Sequence, residues 1–166
     1  MKVKHLFLDL EDTVITPVLD GWFNTHLINV DKIKAFMAEF QPDFVHLFSF
    51  AVWNQAELLR FDAGTRPMLE EMLGKKFCTT WTVDDDIIPM CTNVMNLGQG
   101  SVTFSDASDF WGKHEAFRLC MRHTFKNTHQ HDVDTEVVLL DDAVFNERFH
   151  WPDLRISGQV LNIDQL

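Results

Sequence analysis

Asp9, Glu11, Ser49, Lys113, Asp141 and Asp142 are the residues of this 166-residue chain whose types and placement could do chemistry together. Asp9 follows the apolar run His5-Leu6-Phe7-Leu8, and Ser49 lies late in the run Phe44 to Ala51. Asp141-Asp142 close the run Val137 to Leu140, and Lys113 falls in the first turn of an expected helix leading into that run. If the runs are parallel strands of one sheet, all these features reach one edge. Carboxylates gathered at one point repel each other unless a cation holds them, and oxygen donors without neighbouring His or Cys suit Mg²⁺. A lysine and a hydroxyl beside them would neutralise and orient phosphate oxygens. A carboxylate next to a metal-bound phosphate can attack phosphorus and form an aspartyl-phosphate. A second acid could then protonate the leaving oxygen and activate water.

The elements that must position these groups alternate between short apolar runs and helical patterns, as βαβ units require. The first strand spans His5 to Leu10, nearly continuous in apolar residues, as a central strand buried on both faces should be. Residues 13 to 29, with Pro17 and Asp20-Gly21, read as a small hairpin or flap. Residues 31 to 40 place Ile33, Phe36, Met37 and Phe40 on one helical face, with Asp31 as a candidate cap. Phe44 to Ala51 read as a second strand. Helices are expected over 54–60 and 66–73, broken near Gly64, and a third strand over Lys76 to Val83. Asp84-Asp85-Asp86 could start a helical turn within the long interval 84–108, which otherwise reads as loop or a small lid. A helix over 109–125 carries Phe110, Phe117, Cys120 and Met121. The fourth strand is Val137 to Leu140, followed by a short helix over 143–149 and a last strand within 155–163. The fold class is therefore α/β: a doubly wound, mainly parallel sheet of about five strands in one domain over 1–166. Ligands of such sheets sit at the strands' carboxyl ends, near a topological switch point.

The segment Leu6-Phe7-Leu8-Asp9-Leu10-Glu11-Asp12-Thr13-Val14 resembles the first motif of the haloacid dehalogenase-like superfamily, an apolar strand followed by Asp-x-Asp-x-Thr. Ser49 in LFSFA, Lys113 in DFWGKHEAF and Asp141-Asp142 in VVLLDDAVFN resemble the second, third and fourth motifs, in order. The resemblance spans residues 6 to 146. It implies a Mg²⁺-dependent phosphatase with a Rossmann-like core. Asp9 would be nucleophile and metal ligand. Glu11 would be general acid/base, with its backbone carbonyl on the metal. Thr13 would support the loop, and Ser49 and Lys113 would bind phosphate. Asp142 would be the metal ligand of the acidic pair, with Asp141 supporting. Asn146 stands where some members place a further ligand, and reads more simply as a surface residue. Position 11 departs from the pattern, because the family's phosphatases have Asp there. The extra methylene moves the carboxyl by roughly 1.5 Å, and misplacement on that scale can cost ~100-fold in rate. A non-catalytic domain that binds a phosphorylated ligand or a protein partner is thus the alternative. The gaps after Thr13 and at 84–108 leave room for a flap and a small lid, so a nearly capless variant is expected.

A receiver domain would also combine Asp, Mg²⁺, hydroxyl and Lys, but its phosphorylated Asp lies on the third strand and its Lys late in the chain. Here Lys113 precedes the last acidic pair. The net charge of −11 argues against non-specific nucleic-acid binding, while a small anionic substrate remains compatible with it. Three cysteines without CxxC spacing form neither a disulfide framework nor a zinc ribbon, and no apolar run reaches membrane length. The expected setting is a reducing cytoplasm, and a homo-oligomer is open. The His129/His131 pair lacks further ligands at metal-site spacing and reads as a solvated loop. Several tryptophans, Trp22, Trp81 and Trp111, could stack on a base, which favours a nucleotide among small phosphorylated substrates.

Overall fold

The computed structural model describes residues 2–19, 21–95, 112–126 and 133–166. Six strands form one sheet: β1 (Lys2–Leu8), β2 (Phe44–Leu47), β3 (Phe77–Thr80), β4 (Asp134–Asp141), β5 (Glu147–Trp151) and β6 (Ile156–Asn162), ordered β3-β2-β1-β4-β6-β5. All neighbours are parallel except the β5–β6 pair. Helices α1 (Val30–Phe40), α2 (Gln55–Arg60) and α3 (Arg66–Leu73) supply one apolar layer; α4 (Ile88–Val94) and α5 (Gly112–Lys126) supply another. The period-two alternation of β1 explains the two layers. Leu6 and Leu8 join a core with Ile33 and Phe40 of α1, whereas Phe7 joins a core with Phe117 of α5. The expected doubly wound α/β architecture is therefore observed. No helix among the described residues is long and apolar enough to cross a membrane.

The structure corrects several local expectations. No helix spans 143–149; the chain forms a sixth strand instead, β5, hairpinned onto β6. The residues Glu147-Arg148-Phe149-His150-Trp151 alternate in burial, with Phe149 at the buried centre, which is a strand period rather than a helical one. Gly158, opposite Phe149, makes this hairpin possible: a Cβ there would lie 2.0 Å from Phe149 Cζ. Gly158→Ala should displace that ring and lower stability by about 1–3 kcal/mol, measurable by urea unfolding. The break expected near Gly64 is absent. Residues 55 to 73 continue as helix through a wide π-helical turn, Phe61–Thr65. Asp31 is not the cap of α1; Asn29 holds that place and Asp31 lies in the first turn, where a negative charge suits the helix dipole. The Asp84 to Asp86 run does start a helical turn, because Thr82 Oγ1 accepts from the Asp85 amide at 3.1 Å and Asp86 accepts from the Thr82 amide at 2.8 Å. Residues 96–108, Phe110, Trp111, His129 and His131 lie outside the described residues.

Between β1 and β2 a polar chain crosses the sheet. His5 Nδ1 meets His46 Nε2 at 2.9 Å, and His46 Nδ1 meets Thr79 Oγ1 at 2.8 Å. Burial pushes His5 down to about 4, although Asp43 pulls the other way. Burial, reinforced by His5, pushes His46 down to about 3. Both folded values lie below the ordinary histidine value of 6.5, so the unfolded chain binds these protons first. Stability is whole above 6.5 and is lost as pH falls toward 4, at up to about 1.4 kcal/mol per pH unit per histidine. His46→Gln keeps the hydrogen-bonding groups and removes one titration. Between pH 7 and pH 5 its stability should fall by about 2 kcal/mol less than that of the native chain, as read from urea midpoints.

Candidate active site

The sheet's register brings the acids together. Leu8 of β1 is aligned with Leu140 of β4, so Asp9 and Asp141 emerge side by side, and the Asp9 amide donates to the Leu140 carbonyl at 3.1 Å. Leu8 is also aligned with Leu47 of β2, and the Phe48 amide donates to the Leu8 carbonyl at 2.9 Å, which carries Ser49 to the same edge. The chain order reverses here: β2 and β3 lie on one side of β1, and β4, β6 and β5 on the other. This is the switch point at which open α/β sheets bind ligands.

Lys113 arrives from α5. Gly112, at φ +67, makes a left-handed entry that L side chains rarely adopt. The buried face of the helix, Ala116, Phe117, Cys120 and Met121, then packs on the sheet. Lys113, one turn before that face, reaches the strand ends. Its ammonium pairs with Asp9 Oδ1 and lies 3.1 Å from Asp141 Oδ2 and 5.0 Å from the centre of the Phe50 ring. Thr13 Oγ1 lies 3.1 Å from Asp9 Oδ2 and 3.3 Å from Asp142 Oδ1. Asp141 Oδ1 accepts from the Ala143 amide at 2.8 Å. Ser49 Oγ accepts from the Ala51 amide at 3.1 Å; among the described residues its own proton has no acceptor. These groups open onto a cleft of about 330 Å³ lined by Asp9, Glu11, Asp12, Ser49, Phe50, Ala51, Lys113 and Asp142.

Glu11 also lines the cleft, and one oxygen of its carboxylate is held by the flap: Oε2 accepts from the Val18 amide at 2.9 Å. Val18 belongs to the flap, whose two sides meet through Thr16 with His26 and Ile28 with Val14. The flap expected from the sequence is therefore present, and its turn is tied to position 11.

Carboxyl groups of Asp9, Asp141 and Asp142 offer oxygens within 4.8 Å of one another, and no His or Cys among the described residues joins them. One ammonium faces three carboxylates, which leaves two negative charges uncompensated when all are ionised. Burial raises Asp9 above the ordinary carboxylate value; Lys113 opposes this and Asp142 adds to it. Asp141 is likewise raised, first by burial, with Lys113 opposing and Asp9 adding. Asp142, more open, is raised by burial and by Asp141. For Lys113 burial favours the neutral amine, but the combined pull of Asp9 and Asp141 outweighs it and holds the ammonium. Asp141 Oδ2 is buried and has the Lys113 ion pair but no aligned hydrogen bond. An all-oxygen donor set with excess negative charge and a buried, under-satisfied oxygen fits a hard divalent cation.

Asp9, Thr13, Lys113, Asp141 and Asp142 make direct side-chain contacts at this edge, and Ser49 and Glu11 line the same cleft. Two expectations at the periphery change. Trp22 is buried, and its Nε1 donates to Glu57 Oε2 at 2.7 Å while its ring meets Phe61 edge-on, so it braces the flap and offers no stacking face. Trp81 packs against Phe7 and Phe48. Asn146 accepts from the Asn162 amide at 2.8 Å and so clasps the loop after Asp142. Sequence reading missed Asn162, whose Nδ2 donates to the Asp142 carbonyl at 3.1 Å and the Val144 carbonyl at 2.6 Å. It also missed Asn29, which donates to the Thr13 carbonyl at 2.9 Å. Polar residues at element boundaries were the available signal for both.

Compared with known protein families, with curated proteins and with solved structures, the chain gave no match. The functional reading rests on the geometry above.

Proposed function

We propose that this chain is a Mg²⁺-dependent phosphomonoester hydrolase of the haloacid dehalogenase-like type, nearly capless, working through an aspartyl-phosphate on Asp9. The observation that carries the reading is the buried Asp9 carboxylate, held between Lys113 and Thr13 at the switch point with Asp141 and Asp142 alongside. Asp9 and Asp142, with the Glu11 backbone carbonyl, would hold the cation, which when bound neutralises the acids and polarises the phosphate. Lys113 and the Ser49 hydroxyl bind the phosphate's remaining oxygens.

An Asp9 oxygen attacks phosphorus as the bond to the ester oxygen breaks, and Glu11 gives that oxygen its proton. Water then attacks the aspartyl-phosphate, Glu11 takes a proton from it, and the Asp9–phosphorus link breaks to release inorganic phosphate. The cleft recognises a phosphoryl group. A small phosphate ester fits its volume, and among the described residues Phe50 is the aromatic ring lining it. The acidic net charge disfavours a nucleic-acid end. Phosphate release from a panel of alkyl, sugar, nucleotide and aryl phosphates, with Mg²⁺ and with chelator, tests the reading. Turnover that needs Mg²⁺ supports it. Metal binding with no turnover on any ester would instead favour a domain that binds phosphorylated ligands without hydrolysing them.

A further inference from the structure

We propose that the Val18 backbone amide is a positioning group for Glu11, so that the flap fixes the carboxylate of the proposed acid/base. The inference rests on the phosphohydrolase reading for its kinetic part and on geometry alone for its structural part.

Glu11 directly follows the β1–cleft junction, and its side chain has one more torsion than an aspartate. Left free, that torsion spreads the carboxylate over several rotamers. The Val18 N–H, 2.9 Å from Oε2, selects one of them; among the described residues Oε1 has no hydrogen-bond partner. The donor is itself well anchored. The Gly21 amide donates to the Val18 carbonyl at 3.0 Å, closing the turn. At the flap base, Ile28 bonds to Val14 at 2.9 Å and Thr16 to His26 at 2.9 Å. Buried Trp22, locked by Glu57, ties the flap to α2. The anchored flap therefore presents one amide to one carboxylate, and the extra methylene of Glu11 is matched by a partner that an aspartate at this position would fall about 1.5 Å short of. Precise placement of a proton-transfer group is worth one to two orders of magnitude in rate.

Two variants separate donor from acceptor. Val18→Pro removes the N–H and leaves Glu11 intact. Glu11→Ala removes the acceptor and leaves the flap sequence intact. The first measurement is amide hydrogen exchange in the full chain, which needs no activity. In Glu11→Ala the Val18 amide should exchange roughly ten-fold faster or more, as loss of its hydrogen bond requires, while the Ile28 amide keeps its protection. Unchanged Val18 exchange overturns the proposal, whatever the chain's activity. The second is leaving-group dependence. With 4-nitrophenyl phosphate the departing oxygen hardly needs a proton; with an alkyl phosphate it does. In single-turnover measurements of leaving-group release, which precedes the hydrolytic step shared by both esters, Val18→Pro should lower the rate about ten-fold or more on the alkyl ester, with a several-fold smaller loss on the aryl ester. Glu11→Ala should share that signature. Equal losses on both esters would show that the amide only supports the fold, and would overturn the positioning role. If exchange behaves as expected and no ester is turned over, the flap contact stands and the phosphohydrolase reading fails.

Discussion

Asp9→Asn should abolish phosphate release, lowering kcat by roughly 10³-fold or more, while leaving the fold intact. An amide oxygen is a poor nucleophile, and an asparagine cannot form the acyl phosphate that the proposed route passes through. The substitution is nearly isosteric in a position that is almost fully buried. It removes one of three crowded negative charges, and Lys113 keeps its pairing with Asp141. Since burial already raises Asp9 and Asp142 adds to the strain, neutralising the position should not cost stability. The check is twofold: phosphate release under Mg²⁺, and the urea midpoint. A variant that is inactive because it is unfolded would show a lowered midpoint; the expected variant shows an unchanged or raised one.

Lys113→Met should be the most damaging single change to the folded state. Its ammonium is the counter-charge for both Asp9 and Asp141, and removing one partner of a buried pair costs roughly 3–5 kcal/mol because the other charge is left without compensation. The cost has a definite pH dependence. Without the lysine, Asp9 and Asp141, already raised by burial, rise further. The folded state then binds protons that the unfolded state has released, so the variant loses stability as pH rises through the ordinary carboxylate range toward the raised folded values, and regains it in acid. If the acids also bind Mg²⁺, the ion should restore part of the loss, in proportion to the logarithm of its concentration above its dissociation constant. Urea unfolding at two pH values, with Mg²⁺ and with chelator, reads all of this. Activity should be lost as well, because phosphate would lose its fixed cation.

Much of the site was legible because strand ends are local features. Asp9, Ser49 and Asp141-Asp142 each follow an apolar run, and parallel strands of similar length align their carboxyl ends, so spacing along the chain became proximity in space. Lys113 was legible through the helix that carries it, since Phe117, Cys120 and Met121 fix which side faces the sheet. What was not legible depended on partners distant in sequence. Residues 143–149 have helix-forming residues, yet Gly158 leaves space for Phe149 and draws the segment into the sheet. Whether Trp22 packs inside or offers a stacking face was not legible either, because Glu57, thirty-five residues away, fixes its nitrogen. The Glu11–Val18 bond could not be foreseen from spacing, because it depends on how the flap folds back.

The most direct test of the proposed function is to look for the phosphoryl group on Asp9. Glu11→Gln cannot activate the hydrolytic water, whereas 4-nitrophenyl phosphate needs little acid assistance to expel its leaving group, so the intermediate should accumulate in that variant. After Mg²⁺-dependent reaction and acid quench, peptide mapping should find one phosphoryl group per chain, on Asp9, and none in the Asp9→Asn/Glu11→Gln double variant. Mg²⁺-dependent release of nitrophenol in step with phosphate and no phosphoryl group on Asp9, or a phosphoryl group on another residue, would contradict Asp9 as the nucleophile.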